Sequence, residues 1–196
     1  MSPPPDEIDE RDANATNDRE WMRRVQGGDE AALGALMERW ELPLKSFIGR
    51  IVFNASEAEE LAQETFVRVW QQREKFRTGA EFRPWVFSIA VNLARNRLRW
   101  WRRRPTVELR EWSETEEKRN EGARGPGSLE IAERAAAVRD AVAALPLELR
   151  ESLVLFEYEQ MSHAEIAMAV GATAKAVETR IYRAREKLRG ALKRWA

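Results

Sequence analysis

The sequence predicts an all-α protein: two small helical domains joined by a flexible acidic linker. Three observations carry this. Apolar residues recur at helical spacing through most of the chain, no stretch alternates as a half-buried strand does, and residues 105 to 128 break the helical period. At 196 residues the chain suits one ordinary domain or two small ones.

Residues 1–17 read as a disordered acidic tail, since residues 1 to 20 hold seven acids against two bases. The first domain is expected over residues 18–102. Asp29 has the chemistry of an N-cap, and Leu33, Leu36, Met37 and Trp40 follow at i, i+3, i+4, i+7, the buried stripe of an amphipathic helix. Pro43 is expected to interrupt that helix, because proline removes a backbone donor, and Leu44, Phe47, Ile48 and Ile51 resume the period. Ser56 and Glu59 have capping-box spacing and are expected to open a third helix, with Ala62, Phe66, Val69 and Arg73 on one face. A loop with Thr78-Gly79 leads to a fourth helix over about 82–101, whose stripe is Val86, Ile89, Ala90 and Leu93.

The linker covers 103–129, from near Pro105 to Gly125-Pro126-Gly127. Helical period returns in the second domain, 130–196, at Ile131, Ala135, Val138, Val142 and Leu145, and after Pro146 at Leu149, Leu153 and Phe156. Ser162 and Glu165 form a second capping box. Gly171 ends that short helix, and Thr173 caps a last one with Val177, Ile181, Ala184 and Leu188 facing inward.

Composition excludes several classes. No run of about 18 apolar residues is present to span a membrane, and the acidic amino terminus has no apolar core of a secretory signal. Cysteine is absent, which excludes disulfides and thiolate chemistry and suits a reducing cytoplasm, the expected location. Thirty-three basic and thirty-three acidic residues cancel, but they are sorted along the chain. Residues 95 to 104 contain six arginines and no acid, and residues 173 to 194 carry a net charge of +6.

Three clusters follow. A capped short helix, a glycine turn and a basic helix over residues 162–189 make a helix-turn-helix, whose second helix enters a DNA major groove. Lys175, Glu178, Thr179, Tyr182 and Arg183 lie outside its apolar face. Thr179, Arg180 and Arg183 are placed for base edges or phosphates, Glu178 for a cytosine amino group, and Arg185, Lys187 and Arg189 for phosphates. The plainer alternative is a helical hairpin with a solvated basic face. In the fourth helix, Asn92, Arg95, Asn96, Arg99 and Arg103 form a row that suits a DNA backbone, while Trp100 and Trp101 read as structural. Glu57, Glu59, Gln63, Glu60 and Glu64 form an acidic patch without convergent metal ligands, which suits a basic protein partner. His163 reads as a packing or surface residue. No catalytic motif, metal site or cofactor site is expected, so an enzyme is excluded.

Together these segments resemble one family. The run from Ala58 to Trp70 (Ala-Glu-Glu-Leu-Ala-Gln-Glu-Thr-Phe-Val-Arg-Val-Trp) is similar to region 2.2 of the extracytoplasmic-function (ECF) sigma factors of bacterial RNA polymerase. Phe82-Arg83-Pro84-Trp85 through Asn96 is similar to their regions 2.3 and 2.4. Leu145-Pro146 through Phe156, then Ser162 to Leu188 with Ile181-Tyr182-Arg183-Ala184-Arg185, resembles region 4, and Gln26 to Ala32 fits the opening helix. The resemblance spans residues 20 to 192.

It implies a sigma factor that binds core polymerase and directs initiation at promoters with −10 and −35 elements, in a stress response. Glu60, Gln63 and Glu64 would dock on the β′ clamp helices, and region 4 on the β flap. The loop from Phe76 to Glu81, with Arg77, Thr78 and then Phe82, would hold a base flipped from the −10 element, and unstacking it costs a few kcal/mol. Asn92, Arg95, Asn96 and Arg99 would touch the −10 region. Lys175, Glu178, Thr179, Arg180, Arg183 and Lys187 would read the −35 element. Glu111, Glu114, Glu116 and Glu117 of the linker would mimic RNA in the exit path. An anti-sigma factor is the expected inhibitor, and the free chain is expected to be monomeric. Glu178 stands where such proteins can carry a basic residue, so the promoter sequence does not transfer. Two other readings of the residues remain: a dimeric helix-turn-helix regulator working without polymerase, and a protein-interaction adaptor.

Overall fold

The computed structural model describes residues 5–77, 79–103 and 128–195, with side chains from residue 14 and, in the second half, from residue 131. Its regular structure is helical, with no strand among the described residues. Among the described residues eight α-helices run in order: α1 Pro5–Gln26, α2 Glu30–Val52, α3 Ala55–Gln71, α4 Phe82–Arg103, α5 Ser128–Ala143, α6 Leu147–Glu157, α7 His163–Val170 and α8 Ala174–Ala191. Short 3₁₀ turns, Arg73–Lys75 and Lys193–Trp195, follow α3 and α8. Glu111, Glu114, Glu116 and Glu117, expected from the resemblance to mimic RNA, and Thr78 lie outside the described residues.

Three local expectations are corrected. The helix expected near residue 18 begins at Pro5, inside the segment read as a disordered tail. Proline at a first helical position costs nothing, since that N–H has no intrahelical partner and φ is already set. Pro43 does not interrupt α2, which runs through it as one helix of 23 residues. Leu36 on one side and Leu44, Phe47, Ile48 and Ile51 on the other are buried on the same core, which outweighs the lost hydrogen bond. The cap of α3 is Asn54, not Ser56. Its backbone is extended and its side-chain oxygen accepts the Glu57 N–H at 2.9 Å, two residues earlier than the capping-box spacing suggested.

The caps expected for α2, α7 and α8 are formed. Asp29 accepts from Ala32 N at 3.1 Å, the Ser162–Glu165 box is closed in both directions, and Thr173 accepts from Ala176 N. Gly171 takes φ +70, a left-handed cap that glycine adopts without strain.

In the first domain, α1 to α4 bury Met22, Val25, Leu36, Phe47, Phe66, Phe82 and Phe87. Phe47 and Phe87 meet edge-on at 5.4 Å, and Trp40 meets Phe87 at 6.1 Å. Asp18 pins α1 to α2: its carboxylate accepts from Arg39 at 2.7 Å and from the Trp40 indole at 3.0 Å. Burial pushes that carboxyl above its ordinary value, against the pull of Arg39. In the second domain α6, α7 and α8 close around Leu155, Met161, Ile166, Val177 and Ile181. The stripe expected along α5 is buried only at its end, at Val142, with Leu145 just beyond it, while Ile131 is 73% exposed. The two domains also touch, through α4 against α7 and α2 against α6.

Candidate nucleic-acid interface

The helix-turn-helix is built as its sequence indicates. The capping box fixes where α7 starts, Gly171 turns the chain, and Thr173 starts α8 with Val177, Ile181 and Ala184 buried against the rest of the domain. Helical geometry then leaves Lys175, Glu178, Tyr182, Arg183 and Lys187 exposed on the opposite side, with Thr179 half-buried among them. Lys175 and Glu178 pair at 2.8 Å, and that hydrogen bond holds the Glu178 carboxyl below its ordinary value. Thr179 donates to the Lys175 carbonyl at 2.9 Å. Two arginines of α8 pair with carboxylates of α6, Arg180 largely covered and Arg185 exposed. Arg180 pairs with Glu148 of α6 at 2.9 Å, and Arg185 pairs with Glu157 at 2.6 Å over the Phe156 ring. Arg185, read from sequence as a phosphate contact, also ties α8 to α6 through this pair. His163 stacks on Phe156 at 5.4 Å, the packing role expected of it.

The row on α4 is divided. Asn92, Asn96, Arg99 and Arg103 are exposed, and Arg99 donates to the Asn96 side chain at 2.8 Å. Arg95 is spent within the molecule. Its guanidinium grips Glu151 of α6 in a two-pronged pair, 2.8 and 2.6 Å, and reaches the Val170 carbonyl at the end of α7. Glu151 is fully buried, and its hydrogen bond with Arg95 is the main reason the arginine is held above its ordinary value. Arg83, the second residue of α4, donates to the Glu159 carbonyl and lies 3.7 Å from Glu165.

The loop before α4 is held from below. Gln26 donates to the carbonyls of Arg73 and Phe76, and Arg19 pairs with Glu81. Gly79 sits at φ +80 and Arg77 is exposed. Phe76 and Phe82, read from sequence as base contacts, are buried instead: Phe76 packs on Trp85 at 5.0 Å and on Phe82 at 6.2 Å. The rings form the floor of the loop, which removes them from the surface a base would meet. Trp101 is half-buried and Trp100 is 43% exposed.

On α3, Glu59, Glu60 and Gln63 are exposed and Glu64 is half-buried, opposite the buried Leu61, Ala62 and Phe66. The patch is laced with cations: Arg97 of α4 pairs with Glu57 and with Glu60 (2.9 Å), Lys45 with Glu59 (2.8 Å) and Arg68 with Glu64 (2.7 Å). Sequence reasoning missed Arg83 and Glu151. Both are ordinary helical charges in sequence, and only the meeting of the two domains gives them partners.

A helical domain with an acidic helix and a polar amide–guanidinium row, followed by a capped helix-turn-helix, defines a two-part promoter-recognition protein of the sigma class. Residues 36–104 match the family described as Sigma-70 region 2, and residues 135–188 match Sigma-70, region 4. The chain is 33% identical over 187 residues to the RNA polymerase sigma-H factor of Pseudomonas aeruginosa, covering 89% of this chain and 93% of that one. It is 31% identical over 176 residues to the ECF RNA polymerase sigma-E factor of Escherichia coli K12, covering 87% and 92%. The solved structure of CnrH in complex with the cytosolic domain of CnrY is similar at TM-score 0.68 and 27% identity, over 92% of this chain and 99% of that chain. The chain belongs to the ECF sigma factor family. Its function is that of an RNA polymerase sigma factor in transcription initiation, and it has no catalytic activity of its own.

Proposed function

We propose that this sigma factor divides promoter recognition between two helices and polymerase docking among a third. The outer face of α8 carries the reading: Lys175, Glu178, Thr179, Arg183 and Lys187 stand together on the exposed side of a doubly capped helix-turn-helix. They read the −35 element, with Arg180 at the edge of the set. Asn92, Asn96 and Arg99 of α4, with Arg95 once it is released, contact the −10 element beside the Arg77–Gly79 loop, Thr78 included. Glu60, Gln63 and Glu64 on α3 meet the clamp helices of the β′ subunit, and region 4 meets the β flap. Residues 18–102 and 130–196 are the two working domains and 103–129 their linker. The setting is cytoplasmic; among the described residues no helix is long and apolar enough to cross a membrane.

An anti-sigma factor is the second partner in this reading. Between α2, the start of α3 and α5 lies a groove lined by Leu42, Phe53, Ala58, Ile131, Val138 and Tyr158. Leu42, Ile131 and Tyr158 are 74%, 73% and 50% exposed, an apolar surface of the kind a partner helix covers.

Binding of labelled protein to purified bacterial core polymerase tests the docking face, beside a Glu60→Lys, Glu64→Lys double variant checked for helicity. Tight binding weakened by about tenfold or more is expected, because reversed charges meet a partner arranged for carboxylates. Equal affinity of the two proteins would remove α3 from the interface.

A further inference from the structure

We propose that Glu151 is an internal competitor of promoter DNA for Arg95, so that one ion pair latches the free chain closed. The inference rests on the reading of α4 as the −10 face. In the described chain the row on α4 is open at Asn92, Asn96 and Arg99 but closed at Arg95, whose prongs all go to the second domain: the Glu151 carboxylate of α6 and the Val170 carbonyl of α7. A carboxylate held in this forked geometry is the protein counterpart of a phosphate, since both present paired oxygens to a planar guanidinium. Glu151 has no exposure in the closed chain, and Arg95 lies against it. One guanidinium cannot serve that carboxylate and a DNA backbone in the same place.

Two further contacts follow the same line. Arg150, beside Glu151, donates at 2.8 Å to the Ile51 carbonyl at the carboxy-terminal end of α2 and lies 5.0 Å over the Phe53 ring. Phe53 holds a left-handed backbone, φ 54, which ends α2 and leaves its last carbonyls to a donor from outside. Arg83 spans from α4 to the Glu159 carbonyl and to Glu165 of the α7 capping box. All three arginines join the domains, and Arg95 is the one that also belongs to the DNA-facing row.

Geometry requires the latch to open. Elements centred 35 and 10 base pairs upstream of a start site are separated by about 85 Å of duplex at 3.4 Å per step. In the closed chain α4 touches α7, directly beside the recognition helix α8. The two domains cannot remain in contact and each reach its own element. Breaking Arg95–Glu151 is thus a step in promoter engagement, and the guanidinium it releases becomes available to the −10 backbone.

The chain has no cysteine, so Gly34→Cys and Gly190→Cys, both exposed helical positions open to a side chain, accept a specific donor–acceptor dye pair in the full-length protein. The wild type is expected to show predominantly high energy transfer. Glu151→Gln and Arg95→Ala are each expected to shift the closed-to-open ratio by roughly tenfold or more, because each strands a partner of a buried pair. The charge exchange Arg95→Glu with Glu151→Arg is expected to restore high transfer, which mere damage to the second domain would not do. Binding to duplex promoter DNA by the free chain separates the two halves of the argument. Glu151→Gln, which frees Arg95, is expected to gain affinity, and Arg95→Ala, which opens the chain but removes the contact, is not. Low transfer in the wild type, or unchanged transfer in both single variants, would overturn the latch. Opening with no gain by Glu151→Gln would overturn the competition and count against the −10 reading of α4, with the mechanical latch still standing.

Discussion

Gln26, the last residue of α1, donates to the carbonyl of Phe76 at 2.8 Å, across fifty residues of sequence. The same amide reaches the Arg73 carbonyl at 3.0 Å, so one side chain satisfies two backbone acceptors where α3 has ended and the loop before α4 begins. Below it, Phe76 rests on Phe82 and Trp85. The loop is thereby anchored on rings that face inward while Arg77 faces outward.

Gln26→Ala leaves both carbonyls without that donor. A loss of about 1–2 kcal/mol in stability is expected, the range for removing a partner from half-buried acceptors. Urea denaturation gives the value. Hydrogen exchange localises it: faster exchange confined to residues around Arg73–Ala80 supports the anchor, and uniform acceleration across α1 to α4 would mean that Gln26 serves the domain as a whole.

Ser162 and Glu165 each satisfy the other's backbone N–H, at 2.7 and 3.2 Å, and Glu165 also faces Arg83 of the first domain. Ser162→Ala is expected to lower stability by about 1 kcal/mol through the cap alone. Glu165→Gln keeps the reciprocal hydrogen bond but loses the charge opposite Arg83. Thermal melts therefore order the variants with Ser162→Ala the less stable, and the dye-pair signal orders them the other way, with Glu165→Gln the more open.

The elements that sequence identified are those fixed within a few residues of chain. Asp29, the Ser162–Glu165 box and Thr173 cap their helices by pairing a side chain with a backbone N–H three residues away, and Gly171 caps through its own N–H to the Ala167 carbonyl, four residues back. Pro43 shows where local rules yield: burial of Leu44, Phe47 and Ile51 on the core that also holds Leu36 carries α2 through a residue that breaks isolated helices. Asn54 displaced Ser56 because two good caps stood two residues apart and the backbone settled which was extended. The site divides in the same way. Helical period placed Lys175, Glu178, Arg183, Asn92 and Arg99 outward, but it carries no information on which outward faces meet each other. Arg95 and Glu151 are 56 residues apart, and neither spacing nor composition links them.

Asp29 makes the stability of α2 acid-sensitive in a defined direction. Its carboxyl is held below the usual 3.8, first by the Arg24 hydrogen bond and then by the Ala32 N–H. A depressed folded-state value means that the stabilisation is present above the unfolded value and is lost as pH falls through the folded one. Asn at this position caps without titrating. Comparing wild type with Asp29→Asn by urea denaturation from neutral pH downward past 3.8 is expected to show the wild-type advantage shrinking in that window. An advantage constant with pH would mean that the Arg24 contact contributes no linkage.

Arg183 and Lys187 lie one turn apart on the exposed face of α8, and their chemistry differs in what it recognises. A guanidinium makes a forked contact with a guanine edge worth about 1–3 kcal/mol of discrimination, whereas an ammonium is a point charge suited to phosphate. Arg183→Ala in the holoenzyme is expected to relax the preference at one position of a −35 element selected from a random pool. Lys187→Ala is expected to weaken all sequences alike and to reduce the salt dependence of binding by a slope of about 1. Filter binding over a salt series, with matched and single-substituted elements, separates the two. If both variants change only the slope, α8 rests on the backbone at this turn and base reading falls to Lys175, Glu178 and Thr179 nearer its start.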